Sequence, residues 1–322
     1  MSTQTDWKIQ LQEYVYKWKA TPNDSAEYED FLGNRPFPHF VLSESASTWD
    51  ELTEWLNELG DGWCLRGQRE SSWLLETTLD RTTRVEYRTK TGCGVYTLDR
   101  ESEQRKLLFP FQQQAHLHLQ HAPAKYDLCS WLAIMQHFGA PTRLLDWTKS
   151  PYVALYFALE EAPTEPSEAP AGALWALDLE WLQKNCEEAL DIGNIFTTPN
   201  NYLMKSRKIN QLLCKIDMPV IIPVEPLNAN ERMIAQQGLF LCNLHNNKAS
   251  FCQSLMRMII TQGIPDQPVI RKLVISNEVR FDFLKNLQKM NIHRASLFPG
   301  LDGVGKYLKL SLEIEANSNK TI

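Results

Sequence analysis

The apolar positions along the chain switch between helical and strand spacing, and the switches mark out the elements. Trp7, Leu11, Val15 and Trp18 recur at helix spacing until Pro22-Asn23-Asp24, which predicts a helical lead. A proline-rich turn follows at 34–38. A second helix is predicted over 48–59, with Ser47 or Thr48 as its cap and Gly60 just past its end. Gly62-Trp63-Cys64-Leu65 then reads as a short apolar strand, stopped by Arg66-Gly67-Gln68. Helical patterns return over 102–119 and 127–138, the second closed by Gly139 and Pro141. Ser150-Pro151 opens another helix, with serine at the cap and proline at the first helical position. Residues 163–171 read as an exposed loop. Strands are predicted over 173–179, 219–224, 239–242 and 269–275, helices over 276–290 and from 301 onward, and fraying over 317–322. No internal repeat is visible. Early helices and scattered strands predict an α+β fold, a helix-rich domain around a central sheet, rather than a doubly wound one.

Composition narrows the class without naming a chemistry. Of 322 residues, 43% are hydrophobic, and ten tryptophans and thirteen phenylalanines supply core material. Extended disorder is excluded for most of the chain. Lys and Arg total 33 against 39 Asp and Glu, a net charge of −6, which argues against a protein that coats nucleic acid or acidic membrane. The first residues lack an apolar signal-peptide core, and the longest apolar stretch, around Val153 to Leu159, is far short of a membrane span. Seven cysteines form no CxxC pair, which fits free thiols in a reducing cytoplasm. His116, His118, His121 and Cys129 lack the spacing of a zinc motif, and a solvated helix face is the expected reading.

Three segments carry more polar chemistry than connectors need. Between two apolar helices, residues 136–151 bring together Gln136, His137, Thr142, Arg143, Asp146, Trp147, Thr148 and Ser150. Half-buried arginine and aspartate need partners, so Arg143 and Asp146 either pair in a structural clasp, with Thr148 as a second cap, or serve a ligand. Arg66-Gly67 offers a bidentate fork where glycine lets a backbone approach closely, or is a turn with a surface arginine. Gln236-Gln237-Gly238 leads into a strand and points an amide into a pocket, or is a polar turn. No glycine-rich phosphate loop, nucleophile elbow or H-E-x-x-H motif occurs. The carboxylates Glu101, Glu103, Glu160 and Glu161 read as exposed helix charge.

Together these segments resemble the FRG domain family, whose motif is an aromatic-Arg-Gly triplet. Here it stands as Leu65-Arg66-Gly67-Gln68, with leucine at the aromatic place. The resemblance continues through Trp73-Leu74, Leu79 and Arg81 and is strongest from Gln136 to Thr148 and on through Ser150-Pro151 to Ala158. It returns at Arg232 with Gln236-Gln237-Gly238-Leu239-Phe240, and closes at Ser296 to Gly303. It implies a helical lead over 1–46 and an FRG domain over 47–322. The order of motifs is distantly similar to that of the ADP-ribosyltransferases, which implies a mixed or antiparallel twisted sheet and NAD as substrate. By that similarity Arg66 ends the first core strand, Thr148 or Ser150 holds the nicotinamide ribose, and Gln236 takes the third catalytic place, where an amide cannot act as a base. Arg66 and Arg143 suit the pyrophosphate, and Trp147 or Tyr156 the nicotinamide ring; Gln68, Gln136, His137, Thr142 and Asp146 complete the expected small polar cleft. The resemblance implies ADP-ribosylation of a protein or nucleic acid, as in bacterial toxins or antiphage effectors, without membrane association. The alternative is a non-enzymatic module that recognises a nucleotide or a macromolecular partner.

Overall fold

The structure, a computed structural model, describes residues 8–9, 12, 41–89, 92–97, 100–161, 172–198, 202–227, 229–245, 250–263 and 265–318. The apolar positions of the expected lead helix, the turn at 34–38, the 163–171 loop and the chain end from 319 lie outside these residues. In chain order, β1 (Leu42–Ala46) and α1 (Trp49–Leu59) lead into β2 (Trp63–Gln68) and α2 (Thr78–Thr83). A hairpin of β3 (Arg84–Thr89) and β4 (Gly92–Thr97) follows, then α3 (Arg100–Ala115), α4 (Leu128–His137), β5 (Leu144–Thr148) and α5 (Pro151–Leu159). Next come β6 (Gly172–Asp178), α6 (Leu179–Leu190), α7 (Tyr202–Lys215), β7 (Ile221–Val224), α8 (Glu231–Ala235) and β8 (Gly238–Asn243). The described chain ends with α9 (Phe251–Gln262), β9 (Ile270–Ile275), α10 (Arg280–Lys289), α11 (Arg294–Leu297) and α12 (Leu301–Ser318).

The fold is mixed α+β. Seven strands form one sheet in the order β1-β9-β6-β2-β5-β8-β7, with β1 parallel to β9 and every other pairing antiparallel. Side chains leave the sheet alternately on two sides, and both sides are covered. Leu174 and Ala176 of β6 join a core with α1, α5, α10 and α12, while Trp175 and Leu177 join one with α4, α6, α7 and α9. Burial on both faces explains why β6 reads as an almost unbroken apolar run.

Local signals hold where they rest on caps. Thr48 closes a capping box with Glu51 at the start of α1, Ser150 caps α5 with Pro151 behind it, and Gly139 turns left-handed after α4 at φ 81°. Three expectations change. Arg66-Gly67-Gln68 does not stop a strand; it is the second half of β2. Residues 42–46, assigned to the lead, form a strand of the central sheet. The helices α6, α7 and α9 occupy stretches between the expected strands for which the spacing predicts no element, and the β3–β4 hairpin lies in a further such stretch. Among the described residues, no helix is long and apolar enough to cross a membrane.

Candidate functional site

The site begins where the sheet divides. β2 is matched to β6 at six positions but to β5 at one, Leu65 with Thr148. Past that point the two strands separate, and a cleft of about 1020 Å³ opens there. Arg66 bridges the gap, its Nη1 donating to the main-chain oxygen of Asp146 at 2.7 Å. Gly67 follows because α5 crosses it: a Cβ there would stand 1.9 Å from the Ala154 oxygen. The close approach allowed by this glycine is therefore that of a helix, not of a ligand. Gln68 turns into the core, where its Oε1 accepts from Trp175 at 2.7 Å and its amide donates to the Leu74 oxygen at 3.1 Å.

Five arginines line the cleft: Arg66, Arg69, Arg81, Arg232 and Arg294. Arg294 is bound by both oxygens of Glu160 at 2.7 and 2.8 Å, and Arg69 lies 3.7 Å from Glu161. Among the described residues, Arg66, Arg81 and Arg232 have no ion pair. Arg81 is held by the Glu76 oxygen at 2.7 Å and the Thr78 hydroxyl at 3.3 Å, neither of which carries charge. Arg232 lies over the Phe298 ring at 4.2 Å, and Arg294 lies over the same ring at 3.5 Å. Burial lowers the pKa of Arg66; the carboxylate of Asp146 opposes this, and the charge of Arg81 adds to it. The Nε of Arg66 is buried without a hydrogen-bond partner among the described residues.

Four acidic residues, Glu76, Asp146, Glu160 and Glu161, line the same cleft. Asp146 is exposed on β5 between Arg66 and Arg232 and pairs with neither at ion-pair distance. Glu160, at the end of α5, is not the exposed charge that the sequence predicts; its side chain is only 11% exposed. Burial raises its pKa, against the opposing pull of Arg294. Arg280 fixes the end of this helix, donating to the Leu159 and Glu160 carbonyls at 2.7 and 2.9 Å.

The structure brings Arg66, Gln68, Asp146, Trp147, Thr148 and Gln236 of the expected set to the cleft and leaves the others out. Arg143 is 2% exposed and donates to the Leu213 carbonyl inside the helix-covered core, so it neither serves the cleft nor pairs with Asp146. Thr142 donates to Gln136 as a local clasp. His137 is exposed at the end of α4, its pKa lowered by partial burial and by the charge of Arg232. Ser150 caps α5, and Tyr156 is buried next to Glu160, its phenol pushed up by burial and by that carboxylate. Thr148 and Gln236 also carry structural bonds. The Thr148 hydroxyl donates to the Gln236 carbonyl at 2.7 Å and accepts from Ser150 N at 2.9 Å, and the Gln236 amide donates to Leu297 at 3.0 Å. Glu231 stands in the first turn of α8. His116, His118 and His121 are exposed while Cys129 is buried, so they share no centre.

Arg69, Arg81, Arg232, Arg294, Glu160 and Trp73 are among the cleft residues to which the sequence assigns no role. The cation-π stack on Phe298 joins residues more than 60 positions apart, and no local spacing signals it. No curated protein and no solved structure matches the chain. Residues 61–167 match the family model of the FRG domain, a stretch that begins just before β2, runs past the end of α5 and includes the cleft lining from Leu65 to Glu161.

Proposed function

We propose that the cleft binds NAD and that the protein transfers ADP-ribose from it to a protein or nucleic-acid acceptor. The observation that carries this reading is the pair Arg66 and Arg81. These two like charges lie near enough for one to depress the pKa of the other, both face the same cleft, and neither is ion-paired among the described residues. A pyrophosphate supplies the missing negative charge and presents oxygens to both forks. The cleft volume is at the upper end of ligand pockets, which suits a dinucleotide. The carboxylate of Asp146, without an ion pair among the described residues, suits ribose hydroxyls as donors.

The transfer itself needs positioning and a proton acceptor. The bond from ribose C1′ to the nicotinamide nitrogen breaks, and its electron pair leaves with nicotinamide. The acceptor's nucleophilic atom forms the new bond to C1′ and gives its proton to Glu160. Burial makes Glu160 more basic than an exposed glutamate, and it supplies the carboxylate that Gln236 lacks. An arginine on a core strand, followed by a Thr-Ser strand end and a helix over the cleft, supports an ADP-ribosyltransferase-like layout.

A binding module without turnover is the second reading. It is favoured by the structural bonds of Thr148 and Gln236, which tie two expected catalytic groups to the backbone. Incubation with labelled NAD separates the two. Nicotinamide release and label transfer to lysate protein or RNA, lost in Arg66→Ala, support the enzyme. Binding in calorimetry without consumption supports the module, and neither binding nor turnover refutes both.

A further inference from the structure

The cleft holds an aromatic side chain whose exposure is not explained by the anion chemistry. Trp73 lies on the loop between β2 and α2, lines the cleft and is 39% exposed, beside Leu74 at 42%. Its loop is braced rather than loose. The Gln68 amide donates to the Leu74 oxygen, Lys272 donates to the Ser71 oxygen from over the Trp175 ring, and Trp73 N donates to Glu70 at 3.2 Å. The Arg69 guanidinium lies 4.8 Å from the indole centroid and is itself held near Glu161. A large apolar ring is thus kept at a wet cleft by a fixed backbone, within the same pocket as Arg66 and Arg81. Rigid aromatic surface next to paired cations suits a ligand that joins phosphate to a flat heteroaromatic ring.

We propose that Trp73 is the stacking platform for the base of the ligand, so that the cleft selects a nucleoside diphosphate over a diphosphate alone. This rests on the anion-binding part of the proposed function and is independent of whether NAD is consumed. Stacking is tolerant of the base because every base offers a π face, so the platform sets the ligand class rather than one nucleobase.

The test is calorimetry of the full chain with ADP-ribose and, separately, inorganic pyrophosphate, using wild type, Trp73→Phe and Trp73→Ala, each checked by thermal melting. The expected result is that Trp73→Ala weakens ADP-ribose about tenfold and leaves pyrophosphate unchanged, while Trp73→Phe keeps most of the affinity. Equal weakening of both ligands assigns Trp73 to the loop brace and overturns the platform. So does unchanged ADP-ribose affinity in Trp73→Ala, or a wild type that binds ADP-ribose no more tightly than pyrophosphate. A wild type that binds neither overturns the platform together with the anion site. The expected pattern without NAD turnover overturns the transferase and leaves the platform standing.

Discussion

The guanidinium of Arg66 donates to the main-chain oxygen of Asp146 at 2.7 Å, across the gap where β2 and β5 separate. That one bond connects the sheet to its cleft. It ties the two strand ends together across the gap, and Arg66 lines the cleft together with Arg81 and Asp146. Arg66 is therefore a positioning group for the sheet, and in the proposed function it receives the anion as well.

Lysine cannot fill both roles, because an ammonium is a point charge without a planar fork. Arg66→Lys is expected to keep the thermal midpoint within a few degrees and to weaken pyrophosphate binding about tenfold, in line with loss of one charge-assisted hydrogen bond. Calorimetry with inorganic pyrophosphate measures this, and unchanged affinity removes Arg66 from the anion site.

Glycine at 67 has a packing cause, so its replacement is expected to act on stability. An alanine Cβ would stand 1.9 Å from the Ala154 oxygen and 2.6 Å from Ala158 N, both backbone atoms that can move only with α5. Gly67→Ala is expected to cost about 1–3 kcal/mol or more. Gly305→Ala in α12 meets nothing within 4 Å and is expected to hold or raise stability. Urea unfolding of the two variants compares them directly.

Arg143 distinguishes clasp from cleft. It is buried and bound to the Leu213 carbonyl, so Arg143→Met is expected to destabilise the fold by about 1–3 kcal/mol through unsatisfied buried groups. Nucleotide affinity of the folded variant is expected to stay within about twofold, since Arg143 does not line the cleft. A large loss of affinity without a loss of stability would return Arg143 to the ligand.

Glu160 predicts a pH dependence of defined sign. Burial raises its pKa above the ordinary 4.5, so the folded chain keeps this proton to higher pH than the unfolded chain. Stability then falls as pH rises from about 4.5 to the raised value and is level above it with respect to this group. Glu160→Gln removes the slope. The unfolding free energy of the variant minus that of wild type is expected to rise with pH across that window and then flatten. A difference independent of pH means that Glu160 titrates as an exposed carboxylate does.

Elements whose ends are written in local chemistry were legible in the sequence. Thr48 with Glu51, Ser150 with Pro151, and Gly139 after His137 each satisfy or terminate a helix using neighbours within four residues, so spacing alone reveals them. The helices α6, α7 and α9 were not. Each buries a face against the sheet, and their polar faces dilute the apolar signal among residues that also fit loops or strands. The candidate site divides in the same way. The polar density of 136–151 was visible, but which of its side chains turn inward depends on partners such as Leu213, 70 positions from Arg143.

Residue type and short spacing carry the α+β class, the caps and the resemblance to the FRG domain. Tertiary structure alone decided that Arg143 belongs to the core and Asp146 to the cleft, that Gly67 accommodates α5, and that Glu160, Arg232, Arg294 and Trp73 share the cleft. The reason is that burial and charge pairing are set by contacts between distant segments. Separation of β2 from β5 after a single matched position is such a contact pattern, and it creates the cleft.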